Sequence, residues 1–320
     1  MLENTVVFAL SSSRGLAEKI CKELGIELGK CTVNHFADGE ILVELNESVR
    51  GKNVYFVQST NNPVNDNLME LLIGMDACKR ASAASITTII PYYGYARQDR
   101  KAKPRQPITS KLVASLLEKA GAGRVVTVDL HATQIQGYFD IPADDIAANQ
   151  VIAEHFLRKE DFNMEDVVVV SPDHGGTVRA RRLAAALNVP LAIIDKRRPK
   201  PNVAEAMNIL GDVDGKKCII IDDMVDTAGT LCAGIKMLKD KGAKEVYATC
   251  SHGILSGPAI ERLKSAGLAE FVSTDTIDQT EHQKDYPEMV VLTMAPLLAS
   301  LIAAVENQSS LGEALSHCFG

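Results

Sequence analysis

The residues most suited to chemistry lie in one run, Ile219-Ile220-Ile221-Asp222-Asp223-Met224-Val225-Asp226-Thr227-Ala228-Gly229-Thr230. An apolar strand runs into two carboxylates, and a small, hydroxyl-rich turn then opens a helix. A helix N-terminus turns free N–H groups and the positive end of its dipole toward an anion. Gly229 admits a close approach of backbone to ligand, and Thr227 and Thr230 add hydroxyl donors. Carboxylates beside a phosphate would repel it, so Asp222 and Asp223 make sense as acceptors for sugar hydroxyls or as holders of a metal. Together these features fit a phosphorylated sugar. The same string also reads as an acidic turn with a threonine N-cap.

Further candidates stand where apolar runs end. His131 follows residues 125–128 as Val125-Val126-Thr127-Val128-Asp129-Leu130-His131, and Asp173 follows residues 167–170 as Ser171-Pro172-Asp173-His174-Gly175-Gly176. Ligands of open parallel sheets bind beyond the carboxyl ends of strands, so His131 and Asp173 are candidates to share one divalent ion. Each histidine alone is more often a hydrogen-bonded structural residue. No Cys/His quartet has zinc spacing, and an oxygen-rich polyphosphate site favours Mg²⁺. After residues 191–194 comes Asp195-Lys196-Arg197-Arg198-Pro199-Lys200-Pro201-Asn202. The prolines disfavour a helix, and cations on such a loop can neutralise charge that develops during phosphoryl transfer; a solvated basic loop is the plainer reading. Tyr93-Gly94-Tyr95-Ala96-Arg97-Gln98-Asp99-Arg100-Lys101 and Phe36-Ala37-Asp38-Gly39-Glu40 say little alone. No Walker A pattern or kinase-type glycine loop appears, so ATP would be held by other means.

These segments need a scaffold, and the remaining sequence supplies one. Apolar runs at residues 6–10, 54–57, 86–90, 125–128, 167–170, 191–194, 218–221 and 246–249 alternate with amphipathic stretches such as 67–81, 109–120, 178–187 and 230–241. That alternation predicts βαβ units and mostly parallel sheets, with strands apolar on both faces. Residues 54–57, 67–81 and 86–90 weakly repeat the plan of 218–221, 230–241 and 246–249. Two similar α/β domains follow, with only the second keeping a phosphate loop and a boundary near residues 144–150.

Composition narrows the classes. The 320 residues exceed one comfortable core. A formal net charge of −7 argues against bulk binding to nucleic acid or an anionic membrane. There is no apolar run of membrane-spanning length and no signal-peptide pattern at the N-terminus. Seven cysteines without CxxC pairs fit reduced thiols in the cytoplasm.

In combination and in order, FADGE, NDNLMELL, YGYARQDRK, VDLHATQIQGYFD, SPDHGG, KRRPKPNVAE and DDMVDTAGT resemble a ribose-phosphate diphosphokinase, from about Val6 to about Val305. The resemblance implies two phosphoribosyltransferase-type I domains, residues 1–145 contributing to ATP binding and 146–320 carrying the ribose 5-phosphate and catalytic loops, with residues 296–306 packing back on the first. It implies transfer of the β,γ-diphosphate of MgATP to ribose 5-phosphate. Phe36, Asp38, Gly39 and Glu40 would hold the ATP adenine and ribose, reaching into a neighbouring subunit's site. Arg97 and Gln98 would contact ATP, with Asp99 in support. His131 and Asp173 would bind Mg²⁺, and Lys196 and Arg198 would act on a catalytic loop. Asp222, Asp223, Asp226, Thr227, Ala228, Gly229 and Thr230, with Arg198, would hold ribose 5-phosphate. Ser48, Arg50, Ser309 and Ser310 are candidates for an allosteric anion site of a homohexamer built from dimers, and the serine pair reads equally as part of a solvated tail. The alternatives are a phosphoribosyltransferase, which shares the DDMVDTAGT loop, and a non-catalytic regulatory paralogue.

Overall fold

A computed structural model describes residues 2–160, 162–197 and 206–316. The chain forms two compact units. Unit 1 comprises Met1–Ala147, Thr276–Asp278 and Thr293–Gly320, and unit 2 comprises Ala148–Asp275 and Gln279–Leu292.

Unit 1 opens with β1 (Thr5–Ala9), α1 (Arg14–Leu24), β2 (Cys31–His35), β3 (Ile41–Leu45), β4 (Asn53–Val57), α2 (Val64–Arg80), β5 (Ser85–Ile90), α3 (Thr109–Ala120), β6 (Arg124–Val128) and β7 (Ala143–Ile146). The main sheet has the order β1-β4-β5-β6-β7 and is parallel throughout. Its strands are short runs of valine, isoleucine and phenylalanine because helices cover both faces. Phe8, Phe56, Leu71, Met75, Ile90, Leu117 and Val125 fill one side of it. The antiparallel pair β2–β3 stands apart as its own two-stranded sheet. β2, Cys-Thr-Val-Asn-His, is polar and half-exposed and gives no strand signal, whereas the apolar run Ile41-Leu42-Val43 of β3 is a signal the sequence reading passed over.

Unit 2 continues with α4 (Asn149–Leu157), β8 (Val167–Ser171), α5 (Thr177–Leu187), β9 (Leu191–Arg197), β10 (Ala206–Leu210), β11 (Lys217–Val225), α6 (Gly229–Asp240), β12 (Glu245–Gly253), α7 (Ala259–Ser265), β13 (Glu270–Thr274), α8 (Thr280–Asp285) and β14 (Val290–Leu292). Its seven strands lie in the order β10-β9-β8-β11-β12-β13-β14. All neighbours are parallel except the edge strand β10, which runs antiparallel to β9. Val168, Val170, Ile194, Ile220, Ile235, Leu238, Leu263 and Phe271 belong to its core.

Strands β9, β11 and β12 outrun their expected ends by three or four residues. β9 continues past residue 194 to Arg197 because β10 pairs with it as far as Arg197↔Ala206. β11 continues past residue 221 to Val225 because β12 pairs with it as far as Val225↔Gly253. Asp222 and Asp223 therefore lie within a strand rather than after one.

The chain ends in unit 1 with α9 (Ala295–Glu306) and α10 (Leu311–Ser316). α9 is nearly all apolar and packs against α1. Its last residue is fastened to β4: Asn53 Nδ2 and Tyr55 Oη donate to Glu306 at 3.0 and 2.7 Å.

Candidate active site

The acid-and-threonine run of unit 2 takes its shape from a mismatch of ladders. β8 leaves β11 at Ile220↔Val170, while β12 stays to the end of the strand. Asp222 and Asp223 stand on this overhang, at the carboxyl end of the sheet where open parallel sheets bind ligands. Asp223 is buried and Asp222 half-buried. Arg179, from the first turns of α5, brings Nη1 to 3.5 Å from Asp223 and 3.8 Å from Asp222. Burial, and then the neighbouring Asp223, hold the Asp222 carboxyl well above the usual carboxylate range. Two crowded carboxylates gain from a cation or from sugar hydroxyls that donate to them.

Beyond the acids the chain turns through Asp226–Ala228 into α6. Ala228 holds φ at 58°, a left-handed conformation. Ser256 N donates to Asp226 O at 2.9 Å and Arg262 Nη1 to Thr227 O at 2.8 Å, so the turn is strapped from outside. Thr230 is not the N-cap: Ala228 occupies that position, and its own side chain makes no capping hydrogen bond. The first amides of the helix thus face an exposed turn, in which Thr227, Gly229 and Thr230 are all on the surface. An exposed turn at a helix N-terminus is a geometry that suits an anion.

At the neighbouring strand ends of unit 2, Asp173 and His174 follow β8. Asp173 Oδ1 accepts from Gly176 N at 2.9 Å, and His174 Nε2 lies 2.9 Å from Asp195 Oδ1. Lys196 belongs to β9; Arg198 lies outside the described residues.

Unit 1 holds the remaining candidates. Arg97 and Gln98 line a cavity of about 460 Å³ together with Asn62–Asp66, Tyr92, Gly94 and Tyr95. Gly94 is required there, because a Cβ would stand 2.4 Å from Thr60 O. Asp99 is buried, and it joins this loop to the segment after His131: Gln134 Nε2 donates to its Oδ2 at 2.7 Å and Tyr138 Oη to its carbonyl. His131 itself is exposed on the turn after β6. Asp145 fixes that turn by accepting from Leu130 N and Thr127 Oγ1 at 3.0 and 2.9 Å. Phe36, Asp38, Gly39 and Glu40 form the exposed tip of the β2–β3 hairpin, with Phe36 54% exposed and Gly39 at φ 93°. Arg50 donates to Ser82 Oγ at 3.2 Å. Ser48 is exposed, Ser309 N donates to Ala304 O at the end of α9, and Ser310 Oγ accepts from Glu313 N at the start of α10. His131 and Asp173, the proposed metal pair, lie in different units. Among the described residues of the chain no three His, Cys, Asp or Glu side chains cluster as a metal site.

Comparison with known proteins decides the family. Residues 5–121 match the N-terminal domain of ribose phosphate pyrophosphokinase, and residues 135–284 match the phosphoribosyl transferase domain. Over 308 residues the chain is 57% identical to ribose-phosphate pyrophosphokinase 1 of Lactococcus lactis subsp. lactis, spanning 96% of this chain and 95% of that one. The chain belongs to the ribose-phosphate pyrophosphokinase family. The ribose-phosphate pyrophosphokinase of Halalkalibacterium halodurans is 56% identical over 96% of each chain. The phosphoribosylpyrophosphate synthetase of Mycobacterium smegmatis superposes with a TM-score of 0.90 at 44% identity, covering 96% of this chain and all of that one.

For a ribose-phosphate pyrophosphokinase, sequence reasoning missed three neighbours of the candidate site: Arg179, Arg262 and the His174–Asp195 pair. Arg179 sits in Arg179-Ala180-Arg181-Arg182, where only helix phase tells which arginine turns inward. The buried residues Ala180, Leu183, Ala184 and Leu187 give that phase and place Arg179 beside the buried face. Arg262 and Asp195 reach their partners across the fold, 35 and 21 residues away in sequence, and no local pattern signals that.

Proposed function

We propose that this chain transfers the β,γ-diphosphate of MgATP to the C1 hydroxyl of ribose 5-phosphate, giving 5-phosphoribosyl 1-diphosphate and AMP. The observation that carries this reading is the exposed turn that opens α6 behind the Asp222–Asp223 pair, in a chain matched nearly end to end by ribose-phosphate pyrophosphokinases. The amides and hydroxyls of Asp226, Thr227, Ala228, Gly229 and Thr230 hold the 5-phosphate, and Asp222 and Asp223 accept from the ribose hydroxyls. Arg97 and Gln98 bind ATP, with Asp99 bracing their loop. The C1 oxygen attacks the β-phosphorus, the bond from that phosphorus to the α,β-bridging oxygen breaks, and the hydroxyl proton passes to solvent. Lys196 and Arg198 bind the transferring group most strongly as its charge develops.

The donor set of carboxylates and one imidazole suits a hard divalent cation, and the crowded Asp222 carboxyl is one that a cation would relieve. His131 and Asp173 would hold Mg²⁺, with Asp222 and Asp223 facing a metal on the ribose. Bound Mg²⁺ supplies charge neutralisation on the polyphosphate.

The exposed Phe36 and the exposed Met69, Leu112 and Leu116 of α2 and α3 support a homo-oligomer in which the hairpin tip serves a neighbouring site. That assembly is a homohexamer built from dimers, in the cytoplasm. Ser48, Arg50, Ser309 and Ser310 form its allosteric anion site. No helix among the described residues is long and apolar enough to cross a membrane.

The test is incubation with ATP, Mg²⁺ and ribose 5-phosphate. AMP release that requires ribose 5-phosphate is expected. A chain that instead consumes 5-phosphoribosyl 1-diphosphate with a free base, and releases no AMP, is a phosphoribosyltransferase and ends this reading.

A further inference from the structure

The β8–β9 ladder ends at Ser171↔Ile193. β9 nevertheless runs on through residues 194–197, with β10 as its strand neighbour. The stretch that carries Lys196 therefore overhangs the sheet on the side where β8 has stopped. A side-chain pair spans this gap: His174 Nε2 lies 2.9 Å from Asp195 Oδ1.

The two partners differ in setting. Asp195 is 4% exposed, whereas the His174 side chain is 65% exposed. A carboxylate so deeply placed needs hydrogen-bonded company. The turn that offers His174 is itself tied down. Ser171 Oγ donates to Asp173 O at 2.6 Å, Gly176 N to Asp173 Oδ1 at 2.9 Å, and Thr177 Oγ1 to His174 O at 2.9 Å. One end of the pair is thus a braced turn, and the other is the residue immediately before Lys196.

We propose that His174 is a positioning residue, which through Asp195 fixes the overhanging end of β9 against the 173–176 turn and so sets where Lys196 is presented. The proposal rests on the diphosphotransfer reading above. The imidazole stands largely in solvent, so in its absence water can reach the carboxylate and limit the loss of global stability. Its loss should therefore appear in turnover, because a small misplacement of a reacting group is costly while the fold barely registers it.

The experiment measures AMP release with MgATP and ribose 5-phosphate on the intact protein, with thermal melts alongside. His174→Ala is expected to lower kcat by about 10- to 100-fold, the scale of an ångström-sized misplacement. The KM for ribose 5-phosphate should stay within about twofold, and Tm within about 2 °C. His174→Gln, whose amide can still donate to the carboxylate, should recover much of the turnover. The double variant His174→Ala/Lys196→Ala should fall no further than Lys196→Ala alone, since a residue acting through Lys196 then has nothing left to position.

Wild-type kcat in His174→Ala overturns the proposal, and so does a double variant in which the two losses multiply. A Tm fall beyond about 5 °C in both His174 variants makes the pair merely structural and overturns it too. The underlying reading fails differently: the wild-type chain itself would release no AMP, and the proposal would fall with it.

Discussion

Lys196 is the residue on which the proposed chemistry can be tested most directly. It lies in β9 one position beyond the buried Asp195, at the start of a run of cations. A cation that binds the migrating diphosphate mainly in the transition state should affect kcat more than KM. Lys196→Ala is expected to reduce kcat by roughly 10²–10³, as removal of a preorganised transition-state donor does. A folded variant with near-native turnover, checked by its melting curve, sinks this role. Residue identity marks the DDMVDTAGT run as a candidate in the sequence, because carboxylates, hydroxyls and glycine gather at a strand-to-helix junction, whereas the cations around Lys196 read equally as a solvated loop. Conformation was not legible. Ala228 adopts φ 58° at a cost of roughly 1–2 kcal/mol for a residue with a Cβ, and nothing in an alanine announces that. The straps from Ser256 and Arg262 hold the turn in this conformation.

The apolar strands of both parallel sheets could be read as elements because burial on both faces leaves valine and isoleucine runs. Polar strands could not: β2 reads Cys-Thr-Val-Asn-His and β7 Ala-Asp-Asp-Ile, and β10 depends on an antiparallel return to β9. The way elements are fastened is also decided by distant partners. Glu270, at the start of β13, meets His155 of α4 at 2.6 Å and Lys159 just after that helix. Burial by itself would raise the Glu270 pKa, but the hydrogen bonds and charges of His155 and Lys159 outweigh it, and the net shift is downward from 4.5. A carboxylate with a folded pKa below its unfolded value contributes stability at pH above the unfolded value. That contribution is lost as pH falls from about 4.5 through the lower folded value. Glu270→Gln should therefore melt lower than wild type near pH 7, and the gap should close as the buffer is taken below pH 4.5. Melting curves that stay equally far apart from neutral to acid pH would remove the α4–β13 fastening from the acid response.

For the whole molecule, the question is whether one chain contains a complete site. Phe36 is 54% exposed on a hairpin that forms its own two-stranded sheet, and α2 and α3 expose Met69, Leu112 and Leu116. Large apolar groups in such numbers on one unit favour burial by another copy. If the hairpin tip completes a neighbour's ATP site, two inactive variants should rescue each other. One carries Phe36→Ala and Glu40→Ala and keeps Lys196; the other carries Lys196→Ala and keeps the hairpin. In oligomers reassembled from an equal mixture, a working site needs an intact Lys196 from one chain and an intact hairpin from its neighbour. Random pairing across a symmetric interface gives this in about a quarter of all sites. AMP release should therefore rise from near zero for each variant alone to about a quarter of the wild-type rate. If every chain supplies its own hairpin, no mixed oligomer contains a complete site and the mixture stays as inactive as its parts. That result, obtained with exchange of subunits verified by differently tagged chains, would confine the ATP site to a single chain and leave Phe36 without a role in trans.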